Sequence, residues 1–158
     1  MSARAKIEKE PNYSKVAGAL AANALYKEVF RESVDSDTFE LQYRKAFVQN
    51  IKKLVKAEIL SAKLLDFDLK KISEAMQPER DSLFKYLGLQ ILIDRYFIRH
   101  NNKIMETPQA FWMRVAMGLA INEENKEERA IEFYNLFSNM LYTPSTPTLF
   151  NSGTTHSQ

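Results

Sequence analysis

The stretch TPQAFWMRVAMGLA, residues 107–120, decides the fold class. Thr107 and Pro108 form a helix start: a hydroxyl cap, then a proline at the first helical position, where its missing N–H is no loss. The segment they open is apolar except for Arg114. Trp112, Met113 and Met117 are therefore read as core packing rather than as a soft-ligand or radical-transfer box. Arg114 requires a carboxylate or carbonyl partner, which the sequence does not identify.

On the N-terminal side, ERDSLFKYLGLQILIDRYF (residues 79–97) is rich in Leu, Ile, Phe and Tyr almost all round, which predicts a helix buried in the middle of a bundle. Gly88 there costs about 1 kcal/mol relative to alanine, so a close backbone contact is expected. RHNNKIMETPQ is a polar connection with room for a short extended piece at Lys103 to Met105. FDLKKISEAM predicts a short helix ended by Pro78, because the residue before a proline is biased away from helix. From Thr38 a longer helix carries Leu41, Phe47, Ile51, Leu54, Val55 and Ile59 on one side. Lys45, Lys52, Lys53, Lys56 and Glu58 lie largely on the other, as a solvated face. A first helix, capped by Asn12, repeats Val16, Leu20 and Ala24 at i and i+4, with Leu25 and Val29 on the adjoining stripe, and ends near Ser33. On the C-terminal side Asn125 caps a last helix, whose inner stripe is Ala130, Ile131, Tyr134, Phe137, Ser138 and Leu141 and which ends near Tyr142. The expected architecture is an all-α helical bundle over residues 1–142 with an extended loop over 143–158.

The 158 residues suit one core, and 45% hydrophobic with 27% charged residues is a globular composition. A net charge of +2, from 22 basic and 20 acidic residues, offers little with which to neutralise a nucleic-acid backbone. Cysteine is absent, which removes disulfides, zinc-thiolate sites and thiol nucleophiles from this chain. No apolar run resembles a signal-peptide core or a membrane span, so a cytoplasmic protein is expected. His100 and His156 lack spaced ligand partners, and there is no Glu-x-x-His pair, P-loop or dinucleotide fingerprint. No metal or catalytic constellation is predicted.

The composition changes at Thr143. In TPSTPTLFNSGTT, Pro144 and Pro147 fix two backbone angles and preset a turn. The N–H groups of Ser145, Thr146 and Thr148, with the hydroxyls of those residues and Thr143, suit an anion such as phosphate without a lysine. A solvated tail with Thr-Pro phosphorylation sites is the competing reading. Leu149 and Phe150 argue against it, because two large apolar side chains between two polar bends call for cover. Asn151 and Gly153 are candidates for a second bend with positive φ.

Three stretches in this order, ERDSLFKYLGLQILIDRYF, ETPQAFWMRVAMGLA and YTPSTPTLFNSGT, resemble the large, catalytic alpha subunit of class I ribonucleotide reductase, and the similarity runs from about KIEKEPNYSKVA to Gln158. The resemblance implies the N-terminal helical domain that precedes a ten-stranded α/β barrel. It also implies that the terminal loop helps hold the diphosphate of a ribonucleoside diphosphate substrate. By that correspondence Thr146 is the first phosphate-binding residue, with Ser145 and Thr148 in support, while a split chain would leave Leu149 and Phe150 as the apolar partner interface that their own composition calls for. The family's redox and radical cysteines have no counterpart here. The resemblance therefore implies no activity in isolation, a partner polypeptide bearing the cysteine-containing remainder of the alpha subunit, a radical-generating, metal-containing beta subunit and a dithiol reductant. By the same resemblance the chain's end would fall between the helical domain and the first cysteine strand, as expected of a split gene, an intein or an arbitrary cut in a longer protein, with a split preferred. Many members of the family begin with an ATP cone, and Met1 stands about where such a cone would end, so overall control by ATP and dATP is not expected of this chain; the family's specificity site would lie beyond Gln158. The alternative is a non-catalytic helical interaction module that docks on a partner through its C-terminal segment.

Overall fold

The computed structural model describes residues 11–84, 86–140 and 143–156. Two long helices, α1 (Pro11–Phe30) and α2 (Phe39–Lys56), lead into a 3-10 turn at Ala62–Asp66, a short α3 (Leu69–Ala75) and a second 3-10 turn at Pro78–Leu83. Then come α4 (Tyr86–Ile91), a π turn at Leu92–Tyr96 and a hairpin of β1 (Arg99–His100) with β2 (Lys103–Ile104). The chain continues through α5 (Pro108–Ala120), α6 (Lys126–Ser138) and a short α7 (Thr146–Asn151).

Helix α5 is the axis of the fold. Every residue from Pro108 to Met117 is buried, and so is Ala120. Its start is the expected one: the Thr107 hydroxyl accepts a hydrogen bond from the Ala110 N–H, with Pro108 in the first turn. Trp112, Met113 and Met117 are core side chains. Helix α6 packs along α5 through Ala130, Tyr134 and Phe137, and Ser138 is buried beside them. Asn125 stands at the cap position of α6 without a side-chain cap bond. Leu141 and Tyr142, where that helix was expected to end, lie outside the described residues.

Several polar groups inside the bundle are paired with one another, although the buried Trp112 indole N–H has no hydrogen-bond partner among the described residues. The Tyr26 and Tyr43 hydroxyls donate to the Asp81 carboxylate at 2.7 and 2.8 Å, and the Gln109 side-chain amide donates to it at 2.8 Å. Tyr134 donates to Gln109 Oε1 at 2.6 Å and accepts from the Gln77 N–H at 2.9 Å. This one network joins α1, α2, the Pro78 turn, α5 and α6.

Several local expectations are corrected. In α1 the predicted stripe faces outward: Val16 and Leu20 are exposed, while Ala17, Leu25 and Val29 are buried. The helix is apolar on more than one side, and its orientation is set by the ring cluster of Tyr26 and Phe30 with Phe39 and Tyr43. Pro11 to Phe30 is already helical, so Asn12 lies inside α1 rather than capping it. In α2, Leu41 is exposed and Tyr43, Ala46 and Asn50 take the inner face with Phe47, Ile51 and Leu54. Residues 79–97 are not one central helix. Asp81 is drawn into the buried network from a 3-10 turn, Phe84 is extended, and Leu83, Leu87 and Ile91 remain exposed. Gly88 has no close backbone neighbour; a Cβ there would meet the Phe84 ring at an ordinary 3.8 Å. The polar connection does carry the expected extended piece, at Lys103–Ile104, here paired in a hairpin closed by Asn101 and Asn102 at φ 51° and 63°, values that asparagine tolerates. The expected extended terminal loop contains α7, since Ser145 at the cap position and Pro147 in the first turn favour a helix.

Candidate functional site

The terminal segment is built on α5. Its first turn faces solvent: Ser145, Thr146 and Pro147 are exposed and Thr148 is half-buried, while Pro144 is tucked in. The Ser145 and Thr148 hydroxyls lie 3.1 Å apart, and the Leu149 N–H bonds the Ser145 carbonyl at 3.0 Å. By position, the N–H groups of Thr146 and Thr148 have no acceptor within their own helix. The turn therefore gathers two amide donors and three hydroxyls at one exposed end, all neutral, where an anion gains charge-assisted hydrogen bonds.

The other end of α7 is gripped from below. Arg114, fully buried, donates through Nη1 to the carbonyls of Leu149 at 3.1 Å and Ser152 at 3.0 Å. Its Nε and Nη2 form a bidentate pair with Glu106, each bond 3.0 Å. The guanidinium lies 5.1 Å from the centroid of the Phe111 ring. Glu106 is buried as well, and its Oε1 also accepts from the Ile98 N–H at 2.9 Å. A buried arginine is tolerable because its charge is matched and its donors are used.

Further contacts fasten the segment. The Ser152 hydroxyl donates to the Val115 carbonyl at 2.7 Å. Ser61 N–H bonds the Gly153 carbonyl at 2.9 Å, Thr155 N–H bonds the Ile59 carbonyl at 3.1 Å, and Leu60 and Thr154 form an antiparallel bridge. Gly153 adopts φ +80°, the left-handed conformation expected of it, whereas Asn151 ends the helix. Gly118 on α5 is required by the approach: a Cβ there would overlap Ser152 Oγ and the Gly153 nitrogen.

The apolar pair expected to await a partner is divided. Leu149 is buried in this chain's own core, 6% exposed. Phe150 is 43% exposed and stacks on Tyr96 at 4.8 Å between centroids. Phe150, Asn151 and His156 border a cleft of about 360 Å³ with Arg95, Tyr96 and Arg99 across it. Among the described residues there is no group of three His, Cys, Asp or Glu side chains able to hold a metal. No helix among the described residues is long and apolar enough to cross a membrane.

Glu106 and Gly118 escaped the reading of the sequence. Glu106 precedes the cap of the helix that carries Arg114, and the carbonyls Arg114 grips lie 35 and 38 residues ahead, so no short spacing signals either pairing.

Comparison with known proteins gives a consistent result. Residues 82–157 match the family described as ribonucleotide reductase, all-alpha domain. The chain is 50% identical over 159 aligned residues to the ribonucleoside-diphosphate reductase subunit alpha of Chlamydia trachomatis serovar D, a match that covers 100% of this chain and 15% of that protein. It is 37% identical over 149 residues to subunit alpha of Helicobacter pylori, covering 94% of this chain and 18% of that one. The large subunit of vaccinia virus is 34% identical over 151 residues, again covering 94% and 18%. The chain thus spans less than a fifth of the length of these relatives.

Proposed function

The chain belongs to the ribonucleotide reductase large-subunit family, with its all-alpha domain at residues 82–157, and on that footing we propose that it serves as an N-terminal part of the catalytic subunit, helping to bind the diphosphate of a ribonucleoside diphosphate. The observation that carries the phosphate role is the anchored turn itself. Ser145, Thr146 and Thr148 stand together at the free end of a helix whose other end is locked to α5. Thr146 is the leading contact, through its hydroxyl and its amide, and Ser145 and Thr148 support it. Because the donors are uncharged, they hold a diphosphate in one orientation without the strong, less directional pull of a lysine.

Reduction itself requires groups this chain does not carry. It has no cysteine, and its described side chains offer no metal-ligating group. In the proposed assembly, the reactive thiols come from the cysteine-bearing remainder of the large subunit, the radical from a metal-containing beta subunit, and the electrons from a dithiol. This chain binds and orients. Phe150 and the cleft beside it face that larger partner. The reading as a separate interaction module is less favoured, because Leu149, half of its apolar anchor, is already covered from within.

The test is Thr146→Ala in the assembled enzyme with CDP as substrate. A hydrogen bond to a charged group is worth roughly 1.5 to 3 kcal/mol, so KM should rise by about tenfold or more. An unchanged KM overturns the phosphate role.

A further inference from the structure

We infer that Arg114 is a positioning residue for the anion-binding turn, setting the placement of Ser145, Thr146 and Thr148 from the far end of α7. The inference rests on the phosphate reading above. Helix α7 is six residues long, too short to hold its own geometry in isolation, so its axis is dictated by whatever grips it. The carbonyls of Leu149 and Ser152, at its C-terminal end, are groups that no later amide of the helix satisfies. Arg114 Nη1 supplies that bond to both, at 3.1 and 3.0 Å.

The grip is rigid because the arginine is itself fixed. Its Nε and Nη2 are committed to the two oxygens of Glu106, and Glu106 is tied in turn to the Ile98 N–H. A planar guanidinium serves the carboxylate along one edge and the two carbonyls from its remaining nitrogen. A lysine ammonium is a single point of charge on a flexible stem and does not reproduce that division. Arg114 is fully buried, so a bound diphosphate does not touch it, and its influence passes through the backbone of α7. Gly118 gives an independent handle on the same docking. A methyl group there collides with Ser152 and Gly153 and lifts the segment from α5 while every Arg114 donor is retained.

The experiment measures CDP reduction by the assembled enzyme carrying Arg114→Lys or Gly118→Ala, together with hydrogen exchange across residues 149–155. Both variants should speed exchange in that segment while α6 amides stay protected. Each should raise KM for CDP by about tenfold with a smaller change in kcat, the scale of one charge-assisted hydrogen bond lost. An arginine that merely supports folding would lower the active fraction, and so apparent kcat, at unchanged KM; that result overturns the inference. If Thr146→Ala leaves KM unaltered, the phosphate reading fails and this inference with it. If Thr146→Ala raises KM but the other two variants do not, the phosphate reading stands and positioning by Arg114 is rejected. Should Arg114→Lys fail to fold, Gly118→Ala decides.

Discussion

Asp81 accepts hydrogen bonds from Tyr26, Tyr43 and Gln109, yet burial outweighs them and pushes its carboxyl up to about 6. As a residue Asp81 is only half-buried, but the carboxylate is the end that points into the network. A folded-state value above the ordinary one means that the protonated form is favoured by folding. The associated stability is fully present below about pH 4 and is lost as the pH rises through about 6, a swing of at most about 3 kcal/mol. Asp81→Asn should flatten this slope in urea melts taken between pH 4 and 7.5; parallel curves for parent and variant would refute the assignment. The same carboxylate helps hold the Tyr26 and Tyr43 hydroxyls well above their usual range, although burial is the larger cause for both. At this scale the sequence is read unevenly. The need of Arg114 for a partner followed from one charge in an apolar helix. Its partners did not: Glu106 stands eight residues before it with no signalling motif, and the carbonyls of Leu149 and Ser152 reach it only when the terminal segment folds back across α5.

Helix α5 was legible at once because three local signals agree: a hydroxyl cap, a proline in the first turn and an apolar run. Thr107→Ala should lower stability by about 1 kcal/mol in denaturant melts, and Thr107→Ser should recover most of it. Equal stability of all three proteins would show that the cap bond, long at 3.4 Å, contributes nothing. The stretch at 79–97 was misread for a physical reason. Apolar residues on every side suggested a central helix, but side chains alone do not say where a helix breaks. The break here is imposed by Pro78, which opens a 3-10 turn, and by Asp81, which must reach Tyr26 and Tyr43. In α1 the alanine-rich surface offered two faces of similar character. Aromatic packing at Tyr26 and Phe30, a tertiary effect, chose the one that turns Val16 and Leu20 outward.

Across the whole molecule, the helical class was readable from periodicity, while the docking of residues 143–156 was not, since it depends on glycines far apart in sequence meeting at one contact. The surface keeps large apolar side chains exposed, among them Leu83, Leu87, Ile91 and Phe150, in a chain that spans 15% of its chlamydial relative. Under the proposed function, Phe150→Ser should barely alter the melting of the isolated chain yet weaken its association with the rest of the large subunit by about tenfold or more, measured by calorimetric titration. Unchanged affinity would remove Phe150 from the interface. The seat for the terminal segment consists of Ile59 to Ser61, Glu106, Arg114 and Gly118, all of them N-terminal to the residues they receive. During vectorial synthesis on a ribosome, the socket can therefore mature before the turn carrying Ser145, Thr146 and Thr148 emerges to occupy it.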